Sequence, residues 1–229
     1  MNSRNTTRAV RLDRPLVLLA AFLLLASVAA LADDSAFSDQ LLQIQHRWAQ
    51  ANYQETGKAQ KKAFEALLDD ARAFAEANPG RAEPLIWRGI VASTYAGVKG
   101  PFGAMSLANE AREALSAAET LDPKALDGSV YTSLGTLYAK VPGGLIGFGD
   151  KDLARQYLEK AVRTNPDGID PNYFYAEFLF DQEEYAAARE ALLKAQNAPP
   201  RASRPLADAG RQKEISALLR QVDAKIGRS

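Results

Sequence analysis

The chain has no cysteine and one histidine, His46, among its 229 residues. Without thiols there is no disulfide framework in any compartment, no Cys–His nucleophile pair and no cysteine to carry a lipid. A single imidazole cannot build a multi-histidine metal site. Val, Ile and Thr are thin, while Ala, Leu, Glu, Lys and Arg dominate, which favours an all-α domain. An excess of either charge sign is also missing. The 28 basic residues balance 28 acidic ones, so nothing calls for nucleic acid or an anionic membrane as partner.

What is present begins with a leader. Arg4, Arg8, Arg11 and Arg14 precede an apolar run from Leu16 to Ala30, and Ala30-Leu31-Ala32 has the small-x-small form of a cleavage site. The run is shorter than a comfortable membrane span of about 20 residues. Residues 1–32 therefore read as a cleaved signal peptide, with an uncleaved signal anchor as the alternative. Cleavage would leave a periplasmic or secreted chain, residues 33–229, with no stable membrane anchor. That part carries 24 basic and 27 acidic residues, enough length for one domain with its own core.

Three segments share the pattern A-R-x-x-L-x-x-A-x-x-x-x-P, beginning at Ala111, Ala154 and Ala188 and closing at Pro123, Pro166 and Pro200. Ala, Leu and Ala at i, i+4 and i+7 form one helical stripe, and the proline stops the helix. Three copies in order make a repeat, spaced by 43 and then 34 residues. A second helix precedes each copy, over Glu83 to Ala96, Gly128 to Lys140 and Pro171 to Phe180. The helical hairpins, the small-large-small stripe and the closing proline resemble the tetratricopeptide repeat. Gly135 fits its consensus, while Ala92 and Ala176 substitute there. Phe37 to Tyr53 and Lys58 to Ala77 read as a leading hairpin, and Leu206 to Ile226 as a capping helix. Asp150 and Asp170 are expected N-caps. The fold expected is a single tetratricopeptide-like helical-hairpin solenoid.

The extra nine residues of the first two units fall between their helices, in 96–105 and 139–148, which align in register. "VPGGLIGFGD", Val141 to Asp150, is thus the second copy of a duplicated Gly/Pro loop. A phosphate-loop reading fails, because Asp150 stands where the lysine of G-x-x-x-x-G-K belongs and would repel phosphate. Val98, Phe102 and Met105 from one loop, and Val141, Leu145, Ile146 and Phe148 from the other, could form an apolar pocket or partner surface. Equally, they could fold back to bury one another. Aligned on Ala154 and Ala188, Tyr173, Glu177 and Phe180 point to the inner groove, opposite the small Thr132, Thr136 and Ala139. That groove reads as neither basic nor built to clamp a peptide carboxylate. The aromatic run Tyr173-Phe174-Tyr175 with Phe178 reads first as core. His46 reads as a surface or half-buried residue. No catalytic set or cofactor site emerges, so a non-enzymatic protein-interaction module is expected.

P-G-G-x-x-x-F-G-D at Pro142, the Ala154 helix and Phe174-Tyr-Ala-Glu-Phe178 together resemble the T-component family associated with TRAP transporters, over about Pro84 to Ala198. The resemblance implies a periplasmic helical protein that contacts a solute-binding protein, oligomerises and presents a cavity for a small hydrophobic ligand. The chain lacks the lipidated cysteine of commoner members and is shorter. A ligand-binding or accessory subunit of a TRAP-type transporter system is accordingly the second functional reading.

Overall fold

The computed structural model describes residues 14–227, with side chains from Asp34 onward except that of Phe102. Residues 1–13 of the expected leader lie outside the described part, as do the side chains of 14–33. The chain divides into two compact units, residues 1–40 and 41–229. The first is helical over its described residues. Among the described residues no helix is long and apolar enough to cross a membrane.

The described residues form helices and no named strand: α1 (Arg14–Tyr53), α2 (Gly57–Ala77), α3 (Ala82–Lys99), α4 (Pro101–Leu121), α5 (Ala125–Lys140), α6 (Lys151–Thr164), α7 (Ile169–Asp181), α8 (Tyr185–Gln196) and α9 (Pro205–Ile226). The expected helix beginning at Phe37 is continuous with the residues before it. Helices α3 and α4, α5 and α6, and α7 and α8 pair as hairpins, while α3, α5, α7 and α9 each touch the next along an inner layer. This is the solenoid expected from the repeat.

The repeated stripe explains the pairing. Ala111, Leu115 and Ala118 on α4, Ala154, Leu158 and Ala161 on α6, and Ala188, Leu192 and Ala195 on α8 are all at most 1 % exposed. Alanine at two of the three positions brings the partner backbone close, and leucine fills the remaining space. The approach is close at Gly89 of α3, where an added Cβ would lie 2.5 Å from Leu115 Cγ, and at Gly135 of α5, where it would lie 2.7 Å from Leu158 Cγ and 3.0 Å from the Leu158 backbone nitrogen. On α2 the stripe Leu67, Ala71 and Phe74 is equally buried. At the other end Ile215, Leu218 and Val222 of α9 join Tyr173, Leu179 and Leu192 in one apolar cluster.

Three expectations need correction. The stretch 96–105 is not a loop: α3 runs to Lys99, α4 starts at Pro101, and Gly100 alone connects them at φ 88°. Proline at the first helical position and glycine at a left-handed φ make this one-residue break possible, so the extra residues lengthen two helices. The second copy, 141–150, is a genuine loop, so the alignment does not imply a shared conformation. Asp170 does not cap α7, whose cap is Gly168 without a side-chain bond. Its carboxylate is drawn instead to two arginines. Asp150 does cap α6, accepting from the backbone nitrogens of Asp152 at 2.9 Å and Leu153 at 3.0 Å.

Replacing Gly135 with valine is expected to overpack the α5–α6 contact by about 2–3 kcal/mol and lower Tm by roughly 5–10 °C. Gly97→Ala, on an exposed helical site with nothing within 4 Å, should leave Tm unchanged or higher. Thermal circular dichroism of both variants checks the pair.

Candidate functional site

The inner layer encloses a groove of about 860 Å³ within residues 41–229. Its walls come from the end of α1 (Gln45, Trp48, Asn52), from α3, from the start of α4, and from α5, α7 and α9. Trp48 and Trp87 meet edge to face, 6.1 Å between centroids at 72°. Ile90, Met105, Leu137 and Phe174 extend the apolar wall. At its α5 wall Leu126 and Asp127 hold positive φ values of 49° and 56°, a strained geometry that restarts the helix at Ser129.

The first hairpin and the last helix meet across this groove. His46 Nε2 lies 2.6 Å from the Ser203 carbonyl oxygen. The Tyr53 hydroxyl donates to Glu214 Oε2 at 3.1 Å, and its ring lies flat against Gly210, where an added Cβ would come within 2.5 Å. The solenoid thereby closes on itself.

Arg211 organises the closure. Its side chain is 6 % exposed; Nε donates to Asp170 Oδ1 at 2.9 Å and Nη1 to Glu214 Oε2 at 2.6 Å. The guanidinium also lies 4.4 Å from the rings of both Tyr173 and Phe174. Arg201 holds the other Asp170 oxygen at 2.7 Å and pairs with Asp208. Burial alone would raise the Asp170 carboxyl, but the charges of Arg211, Arg201 and Arg204 outweigh it and hold the group well below the usual carboxylate range. Burial pushes the Tyr53 phenol upward, so it stays a protonated donor.

The residues singled out from the sequence separate in space. Tyr173 and Glu177 line the groove, with Glu177 Oε2 3.3 Å from Lys140 Nζ. Phe180 does not line it; its ring packs on Tyr185 at 5.6 Å, at the side of the α7–α8 core. Thr132 and Thr136 line the groove, while Ala139 packs against the Leu158 and Phe178 cluster. The groove is mixed in charge rather than basic: Lys140, Arg201, Arg204 and Arg211 line it together with Asp127, Asp167, Asp170, Glu177 and Glu214. The three arginines follow the last repeat, where the alignment had no counterpart. Their signal in the sequence is the spacing Arg201, Arg204 and Arg211 around the first turn of α9.

The apolar set splits as well. Met105 and Val141 line the groove, and both lie against Gly147. Phe148 packs edge-on to Tyr138 at 5.8 Å and under the Arg112 guanidinium at 4.1 Å. Val98 is half-buried on the last turn of α3. Phe102 lies on the first turn of α4, and its side chain is outside the described ones. Leu145 and Ile146 enter no pocket: they are 107 % and 76 % exposed. The two stretches thus do not combine into one closed apolar pocket.

The tetratricopeptide repeat family matches residues 145–221. No curated protein matches. Among solved structures, a crystal structure of MamA is similar at 20 % identity and a TM-score of 0.42, over 73 % of this chain and 91 % of that one. The matched repeat spans α6 to most of α9, and the hairpins before it continue the same all-helical stack.

Substituting Asp170 with asparagine removes the carboxylate between two arginines, and is expected to cost about 2–3 kcal/mol at neutral pH. The folded-state pKa is depressed, so the stabilisation is complete above the unfolded value of about 4 and is lost as pH falls below it. The stability gap between wild type and D170N should therefore narrow below about pH 4, as read from urea midpoints at several pH values.

Proposed function

We propose that this chain is an exported, non-enzymatic interaction module that docks another protein through the Leu145–Ile146 tip. One observation carries the reading: two large aliphatic side chains stand in solvent on a braced loop. Gly143 and Gly149 form a β-bridge, the Gly149 nitrogen donates to the Pro142 carbonyl at 2.9 Å, and the Asp150 nitrogen donates to the Tyr138 carbonyl at 3.0 Å. Phe148 anchors the base of the loop. Each exposed side chain forgoes about 1.5–3 kcal/mol of burial. A spacer has no use for leucine and isoleucine there; a partner covering them recovers that energy. Tetratricopeptide repeats bind proteins as a class, and the leader read in residues 1–32 supports a periplasmic or secreted setting.

The groove favours a second reading, a ligand-binding or accessory subunit of a TRAP-type transporter system. Its size suits a small molecule. Under that reading the partner at the tip is a periplasmic solute-binding protein.

The double variant Leu145→Ser/Ile146→Ser should keep the wild-type helix signal and a Tm within about 2 °C, because neither side chain is packed. Retention of its protein partner from periplasmic extract on the immobilised mature chain should fall at least fivefold. Unchanged retention would overturn docking at the tip, and a markedly lower Tm would make these residues core. A solute-binding protein as the chief retained partner would select the second reading.

A further inference from the structure

The cations of the groove divide into paired and unpaired. Lys140 is held by Glu177 and Asp181, Arg201 by Asp170 and Asp208, and Arg211 by Asp170 and Glu214. Arg204 differs. Among the described residues no carboxylate pairs with its guanidinium, and its Nε is buried without a hydrogen-bond partner. The charge lies 5.1 Å from the Trp87 ring. Trp87 is itself only 3 % exposed, and its Nε1 is the other buried side-chain nitrogen with no acceptor among the described residues. Its neighbour Trp48 donates to Thr94 Oγ1 at 3.0 Å, so the deficit is specific to the Trp87 and Arg204 side of the groove.

Both unsatisfied groups are donors only, since neither an indole N–H nor a guanidinium can accept. A buried donor without an acceptor, above all a charged one, is costly to leave unmade. Burial and then the neighbouring Arg201 weigh against the charge of Arg204 by more than the nearby Asp170 and Asp208 support it, so a further negative group there is favourable. The two lining carboxylates that no cation holds, Asp127 and Asp167, are solvent-exposed, where water screens them.

We infer that the groove binds a carboxylate with an apolar body, the carboxylate taken by Arg204 beside Trp87 and the body laid along Trp48, Ile90, Met105 and Phe174. One unpaired cation matches one negative charge, and a planar carboxylate suits the guanidinium fork. A dianionic phosphate would leave charge uncompensated against an apolar wall. The volume of about 860 Å³ accepts either a free organic acid or the last residues of an extended peptide, which share this chemistry. Neither the tip residues nor a docked protein enters this site.

Trp48 and Trp87 are the two tryptophans of the chain, and both line the groove, so intrinsic fluorescence reads it directly. The mature chain would be titrated with 4-phenylbutyrate and 4-phenylbutyramide, and with a hexapeptide ending in Leu-Phe as free acid and as C-terminal amide. At least one acid is expected to shift tryptophan emission saturably and to bind at least tenfold more tightly than its amide. The pair that discriminates identifies the source, small acid or chain end. Arg204→Met should reduce the preference below twofold and keep Tm within about 2 °C of wild type, because no hydrogen bond or ion pair is lost and the methionine can still cover Trp87. Arg204→Lys should restore part of the preference. Equal binding of acid and amide in both pairs would overturn the inference, as would a preference retained by R204M. A lower Tm in R204M would make Arg204 a structural residue and would overturn it too.

Discussion

The shape of the groove depends on one buried contact, Asp170 between Arg211 and Arg201, with Arg211 extended to Glu214 and Tyr53. Each member needs the others. Arg211 is almost fully buried, and a guanidinium at that depth is tolerable only with its donors satisfied and aromatic faces around it. Asp170 sits near the start of α7, Arg211 on α9 and Tyr53 at the end of α1, so a single cluster fixes the angles among three helices remote in sequence.

Short-range regularity made most of the fold legible. The thrice-repeated stripe gave the α4, α6 and α8 cores residue by residue, since alanine, leucine and alanine at helical spacing have few other uses. Helix ends were legible where chemistry is local, as at Asp150, whose carboxylate reaches nitrogens two and three residues on. Equal spacing was less informative between helices. The stretches 96–105 and 139–148 align in sequence, yet one is wound into helix around Gly100 and the other leaves the helix at Val141 to stand out as a loop. Pro101 can open a helix directly after glycine, whereas Pro142 is followed by two glycines that end regular structure.

The electrostatics of the site were not legible, because its pairs are long in range. Tyr53 and Glu214 are 161 residues apart, and Arg211 and Asp170 are 41 apart. Asp170 looks locally like a cap and acts globally as a counter-ion. Arg204 has no counterpart in the repeat, and that it lacks an ion pair among the described residues is visible only once Asp170, Asp208 and Glu214 have been assigned to Arg201 and Arg211. Tyr173 and Glu177 could be placed by alignment since they lie inside a repeat, while Phe180, one turn further, falls beside the Asp181–Glu184 turn and rotates toward Tyr185.

Closure of the stack alters its cooperativity. A linear array of hairpins is held by nearest-neighbour contacts, so its terminal units fray first and its stability is distributed like that of a one-dimensional lattice. Here the hairpin at one end and the helix at the other share Tyr53, Gly210 and Glu214, and this region has no free terminal interface from which to unzip. Opening the unit at either end must also break the seam. The seam therefore couples the two ends, and melting of this region is expected to be more concerted than in an open array.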